Sequence, residues 1–123
     1  MKKFEFVNEQ AKREFLDLPK EIKIQFGNDL NAIQQGKDPF SEIKHLTTSV
    51  GTGAIELIEN GSPAYRTVFV AKFNDTVYIL HSFTKTTNGV DKKGMATAKK
   101  RYGDITIEKK QAKAKTKVKK KKS

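Results

Sequence analysis

Arg66, His81 and Lys85 are the residues whose types and spacing could carry chemistry. If Asn74-Asp75 is a two-residue turn between two strands, Phe73 pairs with Thr76, and counting back along both strands sets Arg66 opposite Phe83. Side chains alternate faces with period two, so His81 and Lys85 then share the face of Arg66. Diagonal neighbours across such a pair lie about 7–8 Å apart by backbone, within reach of long side chains. Toward the turn the same face reads as apolar, through Val68, Val70, Val77 and Ile79. A group of this kind suits cleavage of RNA without a metal, in which a 2′-hydroxyl attacks the neighbouring phosphate. Histidine titrates nearest neutrality and can move protons. Arginine can hold phosphate oxygens in pairs. Lysine can stabilise the anionic phosphorane or, with its pKa depressed by neighbouring cations, act as the base. A histidine and an arginine at a strand end are also often ordinary surface residues, and the register holds only for a two-residue loop. Spacing alone leaves both readings open.

The elements that must position these residues follow from periodicity. Residues 2–7 alternate as a short first strand would. Asn8 is a good N-cap, and Ala11, Phe15 and Leu18 recur at helical spacing, so residues 8–18 read as a short helix. Pro19 suits the first turn of a second helix, where Ile22, Phe26, Leu30 and Ile33 form an apolar seam and Gly36 ends it. Both seams read as the core side of a helical hairpin. Residues 37–53 read as a connection, with a turn at Asp38-Pro39. The period then changes to two, giving strands over 54–59, 64–73 and 76–85 that are joined by turn chemistry at Asn60-Gly61-Ser62-Pro63 and Asn74-Asp75. Residues 92–102 look helical, although Gly94 weakens that helix by about 1 kcal/mol relative to alanine. The expected fold is α+β: a helical hairpin packed on a small, mainly antiparallel β-sheet, then a short C-terminal helix. The domain spans 1–105, and 106–123 is a disordered Lys-rich tail with too few apolar groups to offset its ordering entropy.

Composition narrows the function classes. The chain has 123 residues, no cysteine and two histidines, which excludes disulfides, thiolate chemistry and Cys-ligated zinc and gives no expectation of a cofactor or catalytic metal. No apolar run is long enough to span a membrane, and the opening MKKFEFVNEQ lacks the apolar segment of a secretory signal, so the expected location is the cytoplasm. The net charge is +11, of which residues 106–123 supply +8 through nine lysines and one glutamate. Residues 1–80 are net −1 and residues 81–105 net +4, so positive charge grows toward the C-terminus. A polyanionic partner is the natural reading, because Lys and Arg contacts to phosphate supply most sequence-independent affinity for nucleic acid.

The run from Ile55 to Lys85, IELIENGSPAYRTVFVAKFNDTVYILHSFTK, resembles the core signature of the phage-related HigB-like branch of the RelE/ParE toxin superfamily. Glu56-Leu57, Tyr65-Arg66, Leu80-His81 and Phe83-x-Lys85 match that signature in order, and the helical hairpin with its Leu18-Pro19 break extends the resemblance over roughly residues 2–102. The resemblance implies a RelE-like fold and an mRNA endoribonuclease that works on translating ribosomes. It also implies a tightly bound cognate antitoxin, often a helix-turn-helix protein. Family function would fall on Arg66, His81 and Lys85, with Tyr102 and Arg101 near the end of the last helix joining the site. Two departures stand out: Thr86 takes the place of a second lysine, and Asn88-Gly89-Val90-Asp91 takes the place of a proline-containing turn.

The remaining basic residues divide between solvation and RNA contact. Lys12 and Arg13 on the first helix, and Lys99, Lys100 and Arg101 on the last, are candidate contacts to an RNA backbone. His45 reads as a surface or capping residue, and Gly51-x-Gly53 lacks the spacing of a phosphate loop. Three readings therefore stand: a ribosome-associated ribonuclease toxin, a same-fold toxin that inhibits DNA gyrase by binding, and a catalytically degenerate nucleic-acid-binding relative that works through its tail. The cluster of Arg66, His81 and Lys85 favours the first.

Overall fold

The structure, a computed structural model, describes residues 1–86 and 89–105, so the expected tail lies outside the described residues. Five strands form one sheet in the order β1-β5-β4-β3-β2. They are β1 (Lys3–Phe6), β2 (Glu42–His45), β3 (Ala54–Glu59), β4 (Ala64–Phe73) and β5 (Thr76–Lys85). Helices α1 (Glu9–Leu16) and α2 (Lys20–Gln34) cover one face, and a third helix, α3 (92–105), covers the other. Among the described residues no helix is long and apolar enough to cross a membrane.

The helical hairpin forms where its caps place it. The Asn8 side chain accepts a hydrogen bond from the Ala11 amide at 2.8 Å. Pro19 caps α2, and Gly36 ends it at φ 77°, with Gly36 N donating to Ile33 O and Lys37 N to Ala32 O in a Schellman pattern. Phe15, Leu18, Phe26 and Leu30 bury against Leu57, Phe69, Val77 and Ile79 of the sheet. On the opposite face, Leu46, Val50, Val68, Val70 and Leu80 bury against Met95, Ala98 and Ile105 of α3. Gly94 has a packing reason, since a Cβ there would come within 2.9 Å of the Phe83 ring.

Three features correct the sequence reading. Within the stretch read as a connection, Glu42–His45 forms β2, antiparallel to β3. It is short and exposed throughout, so it lacks the alternation that marks a half-buried strand. Second, α3 continues to 105, three residues past the expected end.

The third correction concerns the faces of the last hairpin. Asn74 and Asp75 both adopt positive φ (54° and 51°), the geometry of a tight two-residue hairpin turn, and Arg66 does lie opposite Phe83. The ladder between them is irregular, however. Val68 pairs with His81 but Phe69 pairs with Ile79, which leaves Leu80 as an extra residue on β5. Nearer the turn a second irregularity between Val70 and Phe73 puts the extra residue on β4 and restores the count. Val77 and Ile79 therefore face α1 and α2, while Leu80 joins Val68 and Val70 beneath α3. Strict alternation put Val77 and Ile79 on the wrong side.

Candidate active site

On the α3 side of the sheet, strand pairing lines up Lys44, Glu56, Val68 and His81 in one row. Arg66 and Phe83 form the next row, and Ala64 and Lys85 the one after. Where these rows run out from under α3 there is a cleft of about 530 Å³, walled by Lys44, Glu56, Arg66, Phe83 and Lys85, by residues 46–49, and by the segment leading into α3. A shallower cleft of about 340 Å³ over the β3–β4 turn adjoins it, sharing Arg66, Lys85 and Gly89. The two make a trough with cations on its floor, suited to a phosphodiester chain.

Arg66 braces this trough. Its side chain is 7% exposed. Nη1 donates to the carbonyls of Glu59 (3.2 Å) and Tyr65 (2.9 Å), and Nη2 donates to Asn60 Oδ1 at 3.0 Å. Its Nε lies 3.9 Å from Glu56 Oε1. Its charge adds to the field of the trough, but its terminal donors hold the β3–β4 turn. Lys85 differs: it lines both clefts and is only half-buried.

Glu56 is the carboxylate on the sheet side of the cleft, with Asp91 lining it at the entry to α3. Burial pushes its carboxyl above the ordinary carboxylate range, against the pull of Arg66, Lys44 and Lys85, with Asp91 adding to the rise.

His81 stands apart. Phe83, part of the cleft wall, stacks on its ring at 4.8 Å, and His81 itself does not line the cleft. Its Nδ1 is 2.8 Å from Glu14 Oε1 of α1. Glu14 also receives Arg101 Nη1 at 2.7 Å and Nη2 at 3.1 Å, and Arg101 Nη1 donates to Leu80 O at 2.9 Å. These groups close the edge of β5 beyond the point where β1, paired only with Thr76 to Ile79, stops covering it. The Glu14 carboxyl sits below its ordinary range: burial opposes this, but the bonds from Arg101 and His81 and their charges outweigh it.

Tyr102 lies at the far end of the sheet. Its hydroxyl donates to Thr52 O at 2.7 Å, and its ring meets Phe73 edge-on at 5.6 Å. The ring also lies so close over Gly51 that a Cβ there would come within 2.5 Å of it. Phe73 is seven residues along β4 from Arg66, about 23 Å at the usual rise of a strand. The structure thus brings Arg66 and Lys85 together, sets His81 behind Phe83, and places Tyr102 remotely. Among the candidate RNA contacts, Lys12, Arg13, Lys99 and Lys100 are exposed, whereas Arg101 is buried in its ion pair. His45 borders the cleft, but its pairing opposite Ile55 turns its side chain toward the other face.

Sequence reasoning missed Lys44 and Glu56 as site residues. Lys44 sits on the unrecognised β2. Glu56 was visible as half of the Glu56-Leu57 pair, and a glutamate beneath the buried face of a central strand was the available signal.

Residues 13–103 match the family model described as phage-derived protein Gp49-like (DUF891). No curated protein is significantly similar to the chain.

Proposed function

The chain belongs to the phage-derived Gp49-like family, a RelE-like toxin family associated with toxin–antitoxin systems, and from that premise we propose that it is a type II toxin that cuts mRNA on translating ribosomes without a metal. Its domain is 1–105, its location the cytoplasm, and its protein partner a cognate helix-turn-helix antitoxin that silences it. The observation that carries this reading is the cationic trough: Arg66 and Lys85 meet where two clefts join and Lys44 lines the larger of them, on a chain whose net charge is +11. Lys85 and Lys44 neutralise the scissile phosphate, and Arg66 holds the turn that shapes the trough while adding its charge. His81 contributes from behind Phe83, where Glu14 fixes its Nδ1. Exposed Lys12, Arg13, Lys99 and Lys100, together with the Lys-rich 106–123 segment, add sequence-blind attraction to RNA that weakens with salt.

One observation favours a binding-only reading. Arg66, Arg101 and Tyr102 spend their donors on the fold, as they would in a same-fold gyrase inhibitor or a degenerate RNA binder. Induced expression in bacteria with 5′-end mapping of mRNA separates these readings. The native chain should arrest growth and produce new cuts within translated frames. Lys85→Ala should lose about 100-fold or more of the cutting, and His81→Ala measures how far the site extends toward the strand edge. Arrest without cuts would replace the ribonuclease by a binding toxin, and no arrest would leave the degenerate relative.

A further inference from the structure

Glu56 is placed as a structural carboxylate is not. Its side chain is 9% exposed, and among the described residues it accepts no hydrogen bond. The nearest cationic atom is Arg66 Nε at 3.9 Å, and the terminal nitrogens of that guanidinium are turned away to Glu59, Tyr65 and Asn60. A carboxylate buried for stability would be expected to have its oxygens satisfied, because an unpaired buried charge is costly. Glu56 instead opens onto the cleft. The charged groups facing it come from every surrounding element: Lys44 directly across on β2, Arg66 on β4, Lys85 on β5, and Asp91 at the entry to α3. His81 shares its row but is screened by Phe83 and bound to Glu14.

We propose that Glu56 is the proton acceptor of RNA cleavage in this cleft, an assignment that rests on the ribonuclease reading above. The 2′-hydroxyl of the bound nucleotide gives its proton to a Glu56 oxygen as the O2′–P bond forms. The P–O5′ bond breaks, and the departing 5′-oxygen takes a proton from the Lys85 ammonium. The products are a 2′,3′-cyclic phosphate and a 5′-hydroxyl, after which water returns a proton to Lys85 and removes one from Glu56. Lys44 holds the pentavalent anion between these transfers, and the buried Arg66 guanidinium, its donors kept by the β3–β4 turn, adds only its charge to the field. The upward push on the Glu56 carboxyl brings it closer to neutral pH, where a general base works best.

The test is single-turnover cleavage of a defined mRNA on ribosomes in a reconstituted translation system, across mildly acidic to neutral pH, with the full-length chain. The native rate should rise with pH along a limb that reports one ionisation. Glu56→Gln should lose about 100-fold or more in rate and flatten that limb, with RNA affinity unchanged or tighter because a negative charge leaves a cationic cleft. Glu56→Asp should keep the limb at a reduced rate, which covers the case in which Glu56→Gln folds poorly. Cleavage by Glu56→Gln within threefold of native, or a flat profile in Glu56→Asp, would overturn the assignment. Absence of cleavage by the native chain would overturn the ribonuclease reading and the Glu56 role with it.

Discussion

Two glutamates of the same domain, the half-buried Glu14 and the more deeply buried Glu56, are built into it in opposite ways. Glu14 gathers bonds from Arg101, His81 and the Ser82 amide, and its carboxyl is held low. Glu56 has one long ion pair, to Arg66 Nε at 3.9 Å, accepts no hydrogen bond among the described residues, and its carboxyl is pushed up. Burial costs both of them hydration; partners at bonding distance decide which form wins. The Glu14 cluster is closed, tying α1, β5 and α3 together with matched donors and acceptors. The Glu56 cleft is open, with charge in excess of what the fold consumes. That excess is what the proposed binding role of the cleft draws on, whereas the Glu14 cluster holds the chain together.

The most direct way to break this comparison is to remove a partner from the closed cluster. Arg101→Ala leaves Glu14 with only His81 and the Ser82 amide and strips Leu80 O of its donor, and should cost about 2–3 kcal/mol in chemical denaturation. A loss below 1 kcal/mol would mean that the cluster is not what holds α3 to the strand edge.

Smaller and more diagnostic is the contrast between Glu14→Gln and Glu56→Gln. The lowered Glu14 pKa means that ionised Glu14 stabilises the fold above the ordinary carboxylate range, and that this contribution is lost as pH falls through its folded value. The raised Glu56 pKa has the reverse sign, because the folded state takes up that proton more readily than the unfolded chain, so ionised Glu56 opposes folding at neutral pH. Glu14→Gln should therefore lose about 1–3 kcal/mol at neutral pH, while Glu56→Gln holds or gains stability. Both differences should shrink in acid. Equal losses in the two variants would collapse the contrast and make Glu56 a brace like Glu14.

Tyr102→Phe should have the smallest effect. It removes the bond to Thr52 O but keeps the ring over Gly51 and against Phe73, and should cost about 1 kcal/mol in stability with RNA cutting unchanged. A large drop in cutting at native stability would extend the site to the far end of the sheet.

How much of this was legible in the sequence depends on how local each signal is. The three-stranded meander was readable because Asn74-Asp75 and the Asn60–Pro63 turn punctuate strongly alternating runs. The caps Asn8, Pro19 and Gly36 act within a few residues of themselves and were equally readable. β2 was not, because Glu42-Ile43-Lys44-His45 is exposed on both faces and is a strand only because β3 lies beside it. The convergence of Arg66 with Lys85 followed from the turn. The roles of Glu14 and Glu56 did not, since each depends on partners from distant segments: α3 in one case and β2 in the other. An arginine on a strand looks the same in sequence whether its donors face solvent or, as at Arg66, the carbonyls of its own turn.

The two irregularities in the β4–β5 ladder act as compensating frameshifts. Leu80 inserts one residue into β5, the stretch between Val70 and Phe73 inserts one into β4, and the reading frame at Arg66 and Phe83 is the same as at the hairpin tip. A relative that lacked Leu80, or one residue of the β4 bulge, would still set Arg66 opposite Phe83. Its trough would survive a length change that a gapless alignment would score as a break. Insertions and deletions among relatives should therefore collect at these two positions, and alignments of the family should permit gaps there before any lysine or glutamate of the cleft is judged missing.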